Sequence, residues 1–414
     1  MRGSAVINFL IEHQCPQCGA PAVLDETDRL FACKFCRVKS YLMVKDFFRY
    51  MFPNAAPEDK QLVFFPYWRF KAMLFACNPK GINHKFIDVS HQAIESHYIP
   101  HSVGLRSQAL TLRFISPETE GRFLKPTQSL DHVIQTFEHR FGKTLVKPIL
   151  HQSHIGETVS LIYSPAYIKD KVYDAVLNQP VSSVLPDDFD IEQFPAEAPN
   201  WRIQFISTLC PNCGWDLEGE RDTLVLLCKN CTTAWYAAGK SLKQLKFGLY
   251  PGEKKNGLYL PFWRIRADIK GIQLDSYADL IKVANLPKVA HDKWHELEFR
   301  FWAPAFKVRP RVFLRLSTNT TLSQPHQNLL PELPDGRHQP ITMPVTEAVE
   351  SLTINLSGFI KPQTNLVDLV PELKIDAKSF VLVYLPFTEG HHEFIQPELQ
   401  LVINKNILTL SKNL

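Results

Sequence analysis

CPQCGAPAVLDETDRLFACKFC, residues 15–36, and CPNCGWDLEGERDTLVLLCKNC, residues 210–231, are the two stretches on which the fold turns. Each holds two Cys-x-x-Cys pairs with fourteen residues between them. In a Cys-x-x-Cys turn both sulfurs reach one ion, and a tetrahedron of thiolates at about 2.3 Å suits a borderline-soft metal such as zinc. Gly19 and Gly214 follow the first pair of each quartet and relieve the tight backbone there. Fourteen residues suffice for a strand, a turn and a returning strand, and Ala22 to Leu24, Leu30 to Ala32 and Thr223 to Leu227 fit those strands. The expected ligands are Cys15, Cys18, Cys33 and Cys36, with Cys210, Cys213, Cys228 and Cys231.

The two quartets lie 195 positions apart, and so do Pro66-Tyr67-Trp68-Arg69-Phe70-Lys71-Ala72 and Pro261-Phe262-Trp263-Arg264-Ile265-Arg266-Ala267. A constant separation across two dissimilar motifs predicts a tandem duplication. Weaker echoes continue it. Tyr98, Ile99 and Pro100 resemble Trp302, Ala303 and Pro304, while Ile162 to Pro165 resembles Val383 to Pro386.

Each quartet resembles the zinc ribbon family, over residues 1–46 and 203–242, and the whole chain is similar to bacterial zinc-ribbon proteins of no assigned activity. The resemblance implies two structural Zn2+ ions and is specific for metal, unspecific for function. Disulfides and redox-active Cys-x-x-Cys pairs are the alternatives, yet a redox motif stands alone at a helix start. The knuckles also resemble those of rubredoxins, which would make the chain an iron-binding electron carrier, although that family places more residues between its pairs. Four thiolates close a coordination sphere, whereas a catalytic zinc keeps a position open. The resemblance therefore points to structural metal.

Eight of the nine cysteines sit in these pairs, the usage of a reducing compartment, so the cytoplasm is expected. The opening Met1 to Leu10 is too short an apolar run for a secretory signal, and no window is apolar for long enough to insert in a membrane. Thirty prolines against 17 glycines, with many aromatics, predict β structure with fixed turns. Charge is balanced: 21 basic and 20 acidic residues precede position 196, which weakens any reading that wraps a phosphate backbone.

The expected class is β-rich α+β, each half a rubredoxin-like zinc ribbon followed by a larger antiparallel β domain with one covering helix. The β domains would span 58–181 and 255–414, joined by an acidic, proline-punctuated linker at 182–202, whose alternative is an acidic loop packed on one domain. Period-two alternation predicts strands at Ala109 to Phe114, Val312 to Leu316 and Leu399 to Ile403, and Asn404 to Asn406 suggests a closing hairpin. Leu130, Val133, Ile134, Phe137 and Phe141 follow helical spacing, with Thr127 or Ser129 as cap, and Pro344 to Leu352 reads as the counterpart helix.

Trp68, Arg69, Trp263 and Arg264 form a candidate recognition surface. The plainer alternative is that the duplication copied a core strand, in which each Arg pairs with a carboxylate or stacks on a ring. Histidine pairs such as His97/His101, His291/His295 and His391/His392 are unmatched between the copies, and Cys77 in an apolar run reads as a buried small hydrophobe. Gly239-Lys240-Ser241 lacks the first glycine of a phosphate loop, and no catalytic motif is present. The functional expectation is a non-enzymatic scaffold or adaptor presenting two similar β surfaces to a protein partner. The alternative is a nucleic-acid-binding accessory protein, using Lys34, Phe35, Arg37 and Lys39 at the first ribbon.

Overall fold

A computed structural model describes residues 8–142, 145–252, 257–288, 291–411 and 414. The chain's opening, residues 1–7, and the 255–256 start of the second expected β domain lie outside the described residues. About 38% of the chain is strand and 19% helix, in several sheets, so the β-rich class holds. Among the described residues no helix is long and apolar enough to cross a membrane. The chain packs into two compact units.

Unit 1 takes in the described residues of 1–71, 88–144 and 158–207. It opens with two hairpins, β1 (Leu10–Gln14) with β2 (Pro21–Asp25), and β3 (Leu30–Ala32) with β4 (Lys39–Met43). There follow β5 (Phe48–Met51), β6 (Val63–Asn78), β7 (Gly81–Gln92), α1 (Arg106–Ala109), β8 (Leu112–Phe114), β9 (Arg122–Leu124) and α2 (Leu130–Gly142). β10 (His151–Ile168), β11 (Val172–Asp174), β12 (Gln179–Pro180), β13 (Ala196–Glu197) and β14 (Gln204–Ser207) complete it. The main sheet runs β13-β9-β6-β10-β5-β8-β1-β2, and β14 adds to β4 in a second small sheet. β6, β7 and β10 each give some residues to unit 2 as well.

All sixteen residues of β6 are buried, which explains its nearly unbroken apolar run. The chain returns to this strand in a compact pattern. Ala93 donates its N–H to the Pro66 carbonyl at 2.8 Å, and its own carbonyl accepts from Thr127 and Gln128. Phe52 donates to the Tyr163 carbonyl at 3.1 Å, in line with β5 running parallel to β10. α2 forms where the apolar spacing places it, and the Ser129 hydroxyl accepts the His132 N–H at 3.2 Å. The acidic stretch 182–200 lies along this unit. The Ser182 hydroxyl accepts the Val172 N–H, Leu185 donates to the Asp170 carbonyl, β13 pairs with β9, and Glu192 pairs with Arg122.

Unit 2 takes in 72–87, 145–157 and 208–414 among the described residues. Its three-stranded ribbon is β15 (Val225–Cys228), β16 (Thr233–Ala238) and β17 (Ser241–Leu245). Then come β18 (Phe247–Leu249), β19 (Leu258–Lys270), α3 (Tyr277–Val283), β20 (Phe301–Pro304), α4 (Pro310–Ser323), α5 (Val345–Glu350), α6 (Leu352–Phe359) and α7 (Leu366–Leu369). β21 (Lys374–Glu389), β22 (Glu393–Gln396), β23 (Leu401–Asn404) and α8 (Lys405–Leu410) close the chain. The sheet order is β20-β19-β21-β22-β23, with β18 beside β21. Ala305 donates to the Pro261 carbonyl at 2.9 Å and accepts from Thr342 and Met343, and Tyr250 donates to the Tyr384 carbonyl at 2.9 Å.

Five expectations need correction. Ala109 to Phe114 is not one strand, because Ala109 ends α1 and β8 begins only at Leu112. The β regions are mixed rather than antiparallel, because β1/β8, β5/β10, β6/β9 and β18/β21 all pair parallel. One covering helix does not describe unit 2, where α3 to α8 all occur. Val312 to Leu316 lies inside α4: Pro310 sits at its first position, and Val312, Phe313, Leu316, Ser317 and Thr320 form one buried helical face. An alternation that short fits both periods, and proline at the start decides for helix. Nor is there a hairpin at Asn404 to Asn406: Asn404 caps α8 by accepting the Asn406 N–H at 2.9 Å.

Candidate metal centres

The local fold brings each quartet together from two hairpin tips. In unit 1 the turn after β1 closes with Cys15 donating to Ala20 and Gly19 donating to Cys15, and the turn after β3 closes with Cys33 donating to Val38 and Arg37 to Cys33. In unit 2 Cys210 donates to Trp215 and Gly214 to Cys210, while Cys228 faces Thr233 in the β15/β16 ladder. Gly19 and Gly214 sit at φ 72° and 71°, the left-handed region that a residue with a side chain adopts at a cost. Open space surrounds the place where a Cβ would stand at either glycine, so the requirement is conformational alone.

The geometry fits a metal. Cys15 and Cys36 sulfurs are 3.7 Å apart, Cys18 and Cys33 3.7 Å, Cys210 and Cys231 3.6 Å, and Cys213 and Cys228 3.5 Å. Within each quartet all four sulfurs lie within 4.8 Å of one another. A tetrahedron with arms of about 2.3 Å has edges of about 3.8 Å, so an ion at the centre would meet ordinary Zn–S distances. These separations are far beyond a disulfide of about 2.05 Å, and all eight thiols are free. Among the described residues, groups of three or more His, Cys, Asp or Glu this close together occur only at the two quartets.

The electrostatics ask for a cation. Backbone N–H groups of Cys36 and Phe35 bring the Cys33 thiol down to about 6. Side chains of Asn212 and Thr233 do the same for Cys231, to about 6. Cys228 is pushed up to about 12, by burial first and then by the neighbouring sulfurs. Four sulfurs in such contact cannot all be thiolates unless a positive ion sits among them, and thiolate is the form that binds metal. In each quartet two cysteines are buried, one is half-buried and one is exposed, and four ligands would leave no open position for chemistry on a substrate.

The Pro-aromatic-Trp-Arg residues lie in the interior, except for Arg264. Trp68 is 6% exposed and donates Nε1–H to the Gln128 carbonyl at 2.8 Å; Trp263 is 3% exposed and donates to the Met343 carbonyl at 2.9 Å. Arg69 is buried against two carboxylates, Glu26 at 3.1 Å and Asp88 at 2.7 Å. Lys71, equally buried, reaches Glu26 at 3.2 Å and the Asn8 side chain at 2.6 Å. Burial alone would raise the Glu26 carboxyl, but Lys71 and Arg69 more than offset this and hold it below its ordinary range. Arg264, half-buried, lies over the Trp302 ring at 5.9 Å, and burial followed by repulsion from Arg300 lowers its pKa.

Sequence reasoning missed Glu26, Asp88 and Trp302 as the partners of these cations. Two cations in a continuous apolar strand signal that a carboxylate must face them, but nothing in the spacing says which one. Cys77 lies fully buried in an apolar cluster, and that burial raises its thiol. His391 and His392 contact each other at 2.9 Å and are exposed. No protein-family model, no curated protein and no solved structure matches this chain.

Proposed function

We propose that the chain is a non-enzymatic scaffold or adaptor, built by tandem duplication, in which two structural zinc ions hold ribbon modules against β-rich domains that face a protein partner. The closed four-thiolate geometry of both quartets carries this reading: it supplies rigidity and leaves no position for a substrate. Zinc is favoured over iron by the short fourteen-residue spacing.

The duplication draws support from hydrogen bonds that recur position by position. Trp68 bonds the carbonyl two residues before α2, and Trp263 bonds the carbonyl two residues before α5. Ala93 sits between the Pro66 carbonyl and the 127–128 amides, as Ala305 sits between the Pro261 carbonyl and the 342–343 amides. Phe52 bonds Tyr163 as Tyr250 bonds Tyr384. On this alignment the counterpart of Ala305 is Ala93, a few residues before the Tyr98-Ile99-Pro100 echo.

Elemental analysis of the purified chain tests the metal, with two zinc per chain and no colour expected. Affinity purification from the native cell followed by mass spectrometry tests the scaffold. A stoichiometric protein complex supports it, whereas nucleic acid recovered with no protein would overturn it.

A further inference from the structure

The two ribbons share a frame but display different chemistry on it. In the first, the turn between Cys33 and Val38 exposes Lys34, Phe35, Arg37 and Val38. Phe35 is 69% exposed and Val38 37%, so an aromatic and a β-branched residue three positions apart are both open to solvent on one turn. No described residue forms an ion pair with Lys34 or Arg37. The turn is held from inside: the Phe35 N–H points at the Cys33 sulfur at 3.4 Å, and Arg37 donates to the Cys33 carbonyl at 3.1 Å. In the second ribbon the same places carry Lys229, Asn230, Thr232 and Thr233. There Lys229 is neutralised by Glu218, and Thr233 turns inward to accept the Trp235 indole N–H at 2.9 Å. The shared frame therefore does not require the first ribbon's display.

We infer that the 34–38 turn is a docking surface for an acidic peptide segment of a partner protein, one with an apolar side chain flanked by Asp or Glu. This inference rests on the scaffold reading and names the chemistry of its partner. An apolar anchor would cover Phe35 and Val38, while carboxylates on either side would meet Lys34 and the guanidinium fork of Arg37. The metal-held turn is ordered before binding, which reduces the entropy lost on docking. A single nucleic-acid strand suits the turn less well. It needs a track of cations along several phosphates, whereas the turn exposes two, with the half-buried Lys39 beside them, and Val38 offers no face for a base to stack on.

The test is a fluorescence-anisotropy titration of the zinc-loaded full chain into a labelled short peptide of alternating glutamate and phenylalanine. A labelled oligothymidylate is titrated in parallel. The peptide is expected to bind, with binding weakened about tenfold by Phe35→Ala, the size of loss typical of a truncated aromatic anchor. Lys34→Glu combined with Arg37→Asn should lose binding, and Asn230→Ala in the second ribbon should leave it unchanged. Zinc content confirms that each variant keeps its fold. The surface is overturned if the peptide fails to bind the zinc-loaded chain, if Phe35→Ala binds it as well as wild type, or if oligothymidylate binds more tightly and displaces it. Failure here and failure of the scaffold reading separate cleanly. A native complex recovered equally with wild type and Phe35→Ala keeps the scaffold and removes this surface. With no native complex the scaffold falls, and the titration still decides the turn.

Discussion

Arg69 and Arg264 occupy the same place in a repeated stretch and end in opposite surroundings. Arg69 is buried between Glu26 and Asp88, with Lys71 beside it sharing Glu26. Arg264 is half-buried over Trp302, and its neighbour Arg266 shares Glu298 with Arg300 on the exposed side. The hydrogen bonds of the two tryptophans match, whereas the charge partners do not. A recurring backbone frame can keep its N–H and C=O pairing while the loops packed on it settle the electrostatics anew. Glu26, the residue that neutralises both buried cations, comes from the turn after β2 in the first ribbon.

The largest expected effect lies in what the halves share. Cys33→Ser and Cys228→Ser should each lower the metal content from two ions to one by elemental analysis. Binding of a structural zinc is worth on the order of 10 kcal/mol in small modules, so each variant should melt its own ribbon, read as lost protection in hydrogen exchange around that quartet. If either variant keeps two ions, that quartet is not the ligand set.

Next in size is the contrast itself. Glu26→Gln leaves two buried cations with Asp88 as the remaining carboxylate and should cost about 3–5 kcal/mol in chemical denaturation. Glu298→Gln removes a carboxylate that is 43% exposed, from partners that are also solvated, and should cost less than about 1 kcal/mol. Equal costs would mean that the buried network carries no more than a surface pair. The same comparison has a pH signature. Because the folded-state pKa of Glu26 is depressed, its contribution is complete above the ordinary value of 4.5 and is lost as the pH falls through the lower folded value. The stability gap between wild type and Glu26→Gln should therefore close on acidification below that point. A gap that widens there would reverse the sign of the shift.

What was legible in the sequence follows from how far each signal reaches. Cys-x-x-Cys spacing is a local constraint, so all eight cysteines that the structure gathers into two quartets could be named before any packing was known. The helix at Leu130 was legible because five apolar residues at helical spacing outweigh other periods. Val312 to Leu316 was not, since a five-residue alternation satisfies a strand and one face of a helix alike, and the deciding burial by α6 and the sheet is a tertiary fact. Parallel pairing of β18 with β21 joins residues more than a hundred positions apart, and no turn signal announces such a partner. Glu26 and Asp88 were invisible for the same reason: their role exists only once β6 is buried beside them.

Smaller effects should fall equally on the two halves, which is what sharpens the contrast. Trp68→Phe and Trp263→Phe each remove the donor to one carbonyl, part-buried at Gln128 and buried at Met343, and leave a modest void, for about 2 kcal/mol apiece by denaturant titration. The smallest are Gly19→Ala and Gly214→Ala. Both glycines have a left-handed backbone and open space around them, so the cost is that of holding an alanine in that conformation, about 1 kcal/mol each. Asparagine tolerates the left-handed region better, so Gly19→Asn and Gly214→Asn should each be milder than the alanine variant. If the cost were steric, asparagine would be the worse of the two. If the two positions differed by as much as Glu26 and Glu298 do, the knuckle turns would not be equivalent frames, and the asymmetry between the halves would begin in the backbone rather than in the residues that pack on it.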